Sequence, residues 1–112
     1  MSRQRRRRNK PHKSFVMLPR KMLRSEEWKK LSPAAKILYV HLKGKYNGSN
    51  NGEIRLYYSE LRGIKGLSSD ATISKAFREL EEKGWITVLN RGGLFRRINE
   101  YGLTGKFDLY VH

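Results

Sequence analysis

The chain has 112 residues with 25 Lys or Arg against 10 Asp or Glu, a formal net charge of +15, and no cysteine. So large a positive excess points to a polyanionic partner, and the lack of cysteine excludes disulfides, thiolate metal sites and cysteine nucleophiles together. No apolar run approaches the ~18–20 residues that span a membrane, and residues 15–18 are too short a run for a signal-peptide core; with no cysteine, a protein of the reducing cytoplasm is expected.

At this length one folded domain is expected, over residues 14–112, preceded by a disordered basic arm over residues 1–13. The arm, MSRQRRRRNKPHK, is dense in like charge and poor in apolar groups, so it has nothing with which to build a core. Residues 1–24 hold ten Lys or Arg and no acid, which puts about two thirds of the charge excess at the amino end. Arg3, Arg5, Arg6, Arg7, Arg8, Lys10 and Lys13 suit a path along phosphates or into a minor groove. A solubilising tail is the plainer role for the same residues.

Leu18 precedes Pro19, which favours an extended segment before it and a helical turn after it, reaching Leu23. A second short helix is expected from Ser25, with Glu26 and Glu27 in its first turn and Lys29 and Lys30 in its last, matching the helix dipole. Met22, Leu23, Trp28 and Leu31 are expected core contacts, base stacking being the rival use of Trp28. Ser32 and Pro33 supply a cap and a first-turn proline for a long helix, AAKILYVHLKGKYN, in which Ala34, Ile37, Leu38, Leu42 and Tyr46 recur at helical spacing. His41 lies on or beside that face with no metal-ligand spacing around it, and reads as a packed, hydrogen-bonded histidine.

Residues 47–52, NGSNNG, form a turn cluster; they lack the lysine and hydroxyl that follow in a phosphate-binding loop. Residues 53–57 alternate, Ile54 and Leu56 against Arg55 and Tyr57, as a short half-buried strand does. A short helix follows over residues 59–64. Residues 68–86, SSDATISKAFRELEEKGWI, then give an amphipathic helix. Ile73, Ala76, Phe77 and Leu80 form its apolar stripe, and Ser68, Ala71, Lys75, Arg78 and Glu82 lie opposite. Ser68 or Ser69 can cap it, Asp70 suits its positive pole, and Gly84 stands where a left-handed stop is usual. A strand over residues 85–89 follows, with Ile86 and Val88 on one face. The return strand alternates through Tyr101 and Leu103 and is expected to continue through Phe107, Leu109 and Val111, Gly102 and Gly105 marking bulges.

The run YYSELRGIKGLSSDATISKAFRELEEKGWI resembles a winged helix-turn-helix: a short helix, a turn at residues 66–68, a recognition helix and a glycine-stopped entry into a hairpin. Leu61, Leu67, Ile73, Phe77, Leu80, Gly84 and Ile86 stand where that family is usually apolar or glycine, and the resemblance covers roughly residues 31–105. Small bacterial and phage winged helix proteins look similar, including the YNGSNNGEIRL run. The resemblance implies an α+β fold, with a three-helix core, a small antiparallel sheet and a wing hairpin. It also implies a recognition helix in the major groove that offers Ser68, Ser69, Thr72, Lys75 and Arg78 from its amino-terminal half. Arg78 also stands four residues before Glu82, within reach of an ion pair. Glu79, Glu81 and Glu82 crowd the other end, where they repel phosphate or are simply solvated. Residues 90–99, NRGGLFRRIN, become the wing. Its Arg91, Arg96 and Arg97 lie in a stretch with no acid between Glu82 and Glu100, and suit phosphates or the minor groove, or an ordinary solvated hairpin.

The leading expectation is sequence-specific binding of double-stranded DNA, in transcriptional regulation or in a replication, plasmid or phage function. The alternative is a basic RNA-binding or ribosome-associated protein, for which Tyr57 and Tyr58, on opposite faces, give no stacking platform. A protein–protein module is a third reading. Leu94, Phe95 and the carboxyl end suit either a homodimer contact or the completion of the monomer's core. An enzyme is not expected, because Glu26 with Glu27 and Glu81 with Glu82 are surface neighbours rather than converging pairs. No metal, cofactor or small-molecule ligand is expected.

Overall fold

Residues 15–90 and 99–111 are described by a computed structural model. Where the sequence supplies caps but little apolar length, the helices are short. α1 (Arg20–Arg24) and α2 (Glu26–Lys29) meet at Ser25, whose hydroxyl donates to the Met22 carbonyl at 2.6 Å and accepts from the Trp28 N–H at 3.2 Å. Ser32 then caps α3 (Pro33–Lys45) by accepting from the Ala35 N–H at 3.1 Å. After the turn cluster come α4 (Tyr58–Leu61), α5 (Asp70–Glu82), β1 (Ile86–Asn90) and β2 (Glu100–Leu103). Among the described residues this is an α+β arrangement of five helices and one two-stranded antiparallel sheet.

α3 and α5 pack together at the centre, and the fully buried side chains include Leu38, Leu42, Leu61, Leu67, Ile73 and Leu80. The apolar stripe of α5 is as expected, Ile73, Ala76, Phe77 and Leu80 all being buried. α3 differs from its expected stripe: Ala35, Leu38, Tyr39, Leu42 and Lys43 are its buried residues, and Ala34, Ile37 and Tyr46 pack at the edge. Tyr39 turns toward an aromatic cluster, with edge-on contacts to Trp28 at 5.9 Å and Trp85 at 5.3 Å, and Phe107 lies against Trp85 at 4.5 Å. Core thus lies on more than one side of α3, which a single-stripe reading misses. His41 is not packed but exposed, on the side of α3 that neither α5 nor the aromatics cover.

The sheet pairs Ile86 with Leu103, Thr87 with Gly102, Val88 with Tyr101 and Asn90 with Glu100, so the irregularity falls at Leu89 on β1 rather than at Gly102 or Gly105. Residues 53–57 do not form a full strand. Ile54 makes a single antiparallel bridge to Tyr101 (2.8 and 3.1 Å), although Ile54 and Leu56 are buried as the alternation implies. The Asn51 side chain continues that edge, since its amide donates to the Leu103 carbonyl at 2.9 Å and accepts from the Leu103 N–H at 2.7 Å. The turn cluster therefore substitutes a side-chain amide for the next strand residue.

The expected extension of β2 through Val111 does not form. The strand stops at Leu103 and the chain bends at residues 106–107, just after Gly105, whose φ of +72° is a left-handed conformation that costs glycine nothing. Asp108 is then buried against α3. Its Oδ2 accepts from Lys43 Nζ at 2.7 Å and from the Tyr39 hydroxyl at 2.6 Å, and Lys43 Nζ also donates to the Met17 carbonyl at 2.9 Å. Burial first, and the Asp108 carboxylate second, hold the Tyr39 phenol well above its ordinary pKa, so it stays a donor. Both members of the ion pair are almost wholly out of solvent, at 3% and 1% exposure. Removing one therefore leaves the other's charge buried and unpaired. Asp108→Ala is expected to cost ~3–5 kcal/mol of stability, read as a lower urea midpoint at unchanged slope. Lys43→Met together with Asp108→Leu should recover most of that loss.

Candidate nucleic-acid interface

The approach to α5 is set by the turn before it. Leu67 is fully buried, and Gly66 carries a φ of +97° with its backbone so close to α3 that a Cβ there would meet Ile37 Cδ1 at 2.9 Å. The left-handed φ is what favours glycine here, since the Ile37 methyl is the far end of a side chain that can move aside. Ser69 is the residue that caps, accepting from the Thr72 N–H at 3.1 Å and donating to the Thr72 Oγ1 at 2.9 Å. Thr72 keeps its own hydroxyl proton for another acceptor.

The five helix residues singled out by sequence lie on or just before the outer side of α5. Ser68, Ser69, Lys75 and Arg78 are exposed and Thr72 is half-buried. Thr72, Lys75 and Arg78 follow at three-residue steps, which places them as neighbours along the helix surface. Among the described residues neither Lys75 nor Arg78 has a carboxylate partner; the expected Arg78–Glu82 pair does not form. The i,i+4 pair that does form is Glu79 with Lys83, at 3.3 Å.

Glu79 is a correction to the acidic end of the helix. Its carboxylate, largely but not wholly shielded from solvent, accepts from the Ser32 N–H at 2.8 Å and the Ser32 hydroxyl at 2.7 Å, at the amino end of α3. Burial pushes this carboxyl up, yet the Ser32 hydroxyl and N–H, with Lys83, outweigh it and hold the group below the usual carboxylate range.

Two further residues of the surface carried no sequence signal. Lys65 is exposed in the turn between α4 and α5. Arg62, the C-cap of α4, binds Asp70 in the first turn of α5 through Nε at 2.8 Å and Nη2 at 3.0 Å, which holds the Asp70 carboxyl below its usual pKa. The Asp70 expected to serve the helix dipole is thus also bound by a cation eight residues earlier, a spacing with no helical or strand period to reveal it.

Other candidates separate from this surface. Tyr58 stacks on Phe77, which stacks on Tyr101 at 4.5 Å, and Trp28 lies edge-on to Trp85 at 5.6 Å, so these rings are engaged in packing. The wing residues Arg91, Arg96 and Arg97, together with Leu94 and Phe95, lie outside the described residues, as do the arm residues Arg3, Arg5, Arg6, Arg7, Arg8, Lys10 and Lys13. Among the described residues no three His, Cys, Asp or Glu side chains gather as metal ligands, and no helix is long and apolar enough to cross a membrane. The chain matches no protein-family model, no curated protein and no solved structure.

The Glu79 contact has a pH signature. Its folded-state pKa lies below the unfolded value of about 4.3, so its contribution is fully present above that pH and is lost as the pH falls through the folded value. Glu79→Gln is expected to lose about 1–2 kcal/mol at neutral pH. The gap between variant and parent, followed by urea unfolding as a function of pH, should narrow steadily below about pH 4.

Proposed function

We propose that the chain is a small winged helix-turn-helix protein that binds double-stranded DNA sequence-specifically, in transcriptional regulation or in a replication, plasmid or phage function. In this reading α3, α4 and α5 are the three-helix core and α5 is the reader in the major groove. The hairpin of β1 and β2 is the wing, and the basic arm follows phosphates or a minor groove.

The observation that carries the reading is the division of charge along α5. The stretch from Ser68 to Arg78 carries hydroxyls and two exposed cations without carboxylate partners, while Glu79, the next residue, is drawn into a bond with Ser32. Ser and Thr can bond phosphate or either base class, and Lys75 or Arg78 can donate to guanine O6 and N7. The order of elements supports the same reading, as does a net charge of +15.

Selection from a random duplex library at near-physiological salt, with single-stranded RNA and DNA as competitors, tests it. A recovered duplex motif is expected, and palindromy in it would identify a homodimer; preference for RNA would contradict the proposal. Thr72→Ala with Lys75→Ala should erase preference among duplexes, at a loss of about 1–3 kcal/mol per good base contact. Removing residues 1–13 should instead weaken binding to all duplexes alike and flatten its salt dependence, the slope falling by about 0.9 for each phosphate that the arm neutralises.

A further inference from the structure

Arg62 and Asp70 pose a problem for the interface. An acid in the first turn of α5, beside Ser68, Ser69 and Thr72, stands where duplex phosphate would approach and would repel it. The pair is more than half exposed on both sides, 54% and 57%, so it adds little to stability in water. Support for the helix dipole explains a carboxylate at this position but not a guanidinium brought to it from the end of α4.

The hydrogen-bond pattern supplies a reason. Arg62 meets Asp70 with its side edge, Nε donating to Oδ1 at 2.8 Å and Nη2 to Oδ2 at 3.0 Å. Of the five N–H donors of a guanidinium, these two bonds take two. The three that remain are both hydrogens of Nη1 and the second hydrogen of Nη2. One from each nitrogen lies along the end edge of the guanidinium, which points away from the carboxylate. That edge is a fork of two parallel donors, the shape that the O6 and N7 acceptors of guanine match in the major groove. Asp70 thereby cancels its own charge, fixes the plane of the guanidinium and leaves its recognition edge open. Free arginine would lose side-chain freedom on binding; here much of that ordering is done beforehand.

We propose that Arg62 is a guanine-reading residue of this protein and that Asp70 is the positioning residue that aims it. The inference rests on the duplex-binding reading above and adds to the surface a reader that stands outside α5. The pairing also explains why an acid is tolerated at the amino end of the reading helix: it acts on DNA only through the arginine.

The test uses the full chain and the duplex recovered by selection, with each guanine replaced in turn by 7-deazaguanine, which lacks N7. For the parent, one replacement is expected to weaken binding roughly tenfold. Arg62→Ala and Arg62→Lys should both be indifferent to that replacement, the lysine variant because it keeps the charge and loses the fork. Asp70→Asn should reduce the guanine effect while binding unrelated duplex more tightly, because it leaves the positive charge of Arg62 uncancelled. Opposite changes in preference and general affinity are not what a merely structural contact would give. Since the pair is exposed, all three variants should keep the parent's far-ultraviolet circular dichroism.

If Arg62→Ala and Arg62→Lys keep the parent's sensitivity to every 7-deazaguanine, the inference is overturned and the duplex-binding reading stands. Equal weakening by Arg62→Ala on selected and unrelated duplexes would also overturn it, marking a phosphate contact instead. A chain that binds no duplex at all would overturn the proposed function first, and this inference with it.

Discussion

The carboxylate of Glu79, gripped by both the N–H and the hydroxyl of Ser32, ties the carboxyl half of α5 to the amino end of α3. Ser32 is the cap of α3, so one residue both begins that helix and receives the side chain of its neighbour. The contact complements the apolar packing of the pair. Ile73, Phe77 and Leu80 bury α5 against the core without direction, whereas two charge-assisted hydrogen bonds have a fixed geometry and set where along α3 the helix comes to rest. It also orders charge. With Glu79 turned inward and Asp70 bound by Arg62, the positive side chains Lys75 and Arg78 dominate the outer stripe between them.

A second buried contact secures the rest of the chain around this helix pair. Lys43 reaches out of the face of α3 to bind Asp108 and the Met17 carbonyl, so the described segments at both ends of the chain are fastened to one ammonium group. The geometry is complete enough to offset much of the cost of burying charge, because Tyr39 and the Tyr110 N–H supply further donors to the same carboxylate. Tyr39 belongs at once to this network and to the aromatic cluster with Trp28 and Trp85. α3 thus serves as the frame from which both α5 and the flanking segments are positioned.

What could be read from the sequence was what is local and periodic. The caps at Ser25 and Ser32, the stripe of Ile73, Ala76, Phe77 and Leu80, and the pairing of residues 86–90 with residues 100–103 all follow from short-range patterns. Long-range polar contacts could not be read. Lys43 looks like a solvated helix cation until Asp108, 65 positions later, comes to rest beside it, and the same contact turns the expected strand away from β2. Residues 53–57 alternate like a strand, but with Asn51 occupying the ladder at Leu103 only Ile54 completes a bridge. On the candidate surface, exposure of Ser68, Ser69, Lys75 and Arg78 followed from helical spacing. The inward turn of Glu79 and the embrace of Asp70 by Arg62 depend on where α3 begins and α4 ends.

Whether the outer side of α5 is the surface that meets DNA can be measured directly by titrating the recovered duplex into isotope-labelled chain and following every backbone amide by NMR. The largest shifts are expected over residues 62–78, with lesser changes in the arm and at residues 91–98, and little at the aromatic cluster around Trp28, Trp85 and Phe107. Shifts centred on α1, α2 and that cluster, with residues 68–78 unmoved, would contradict this assignment of the surface.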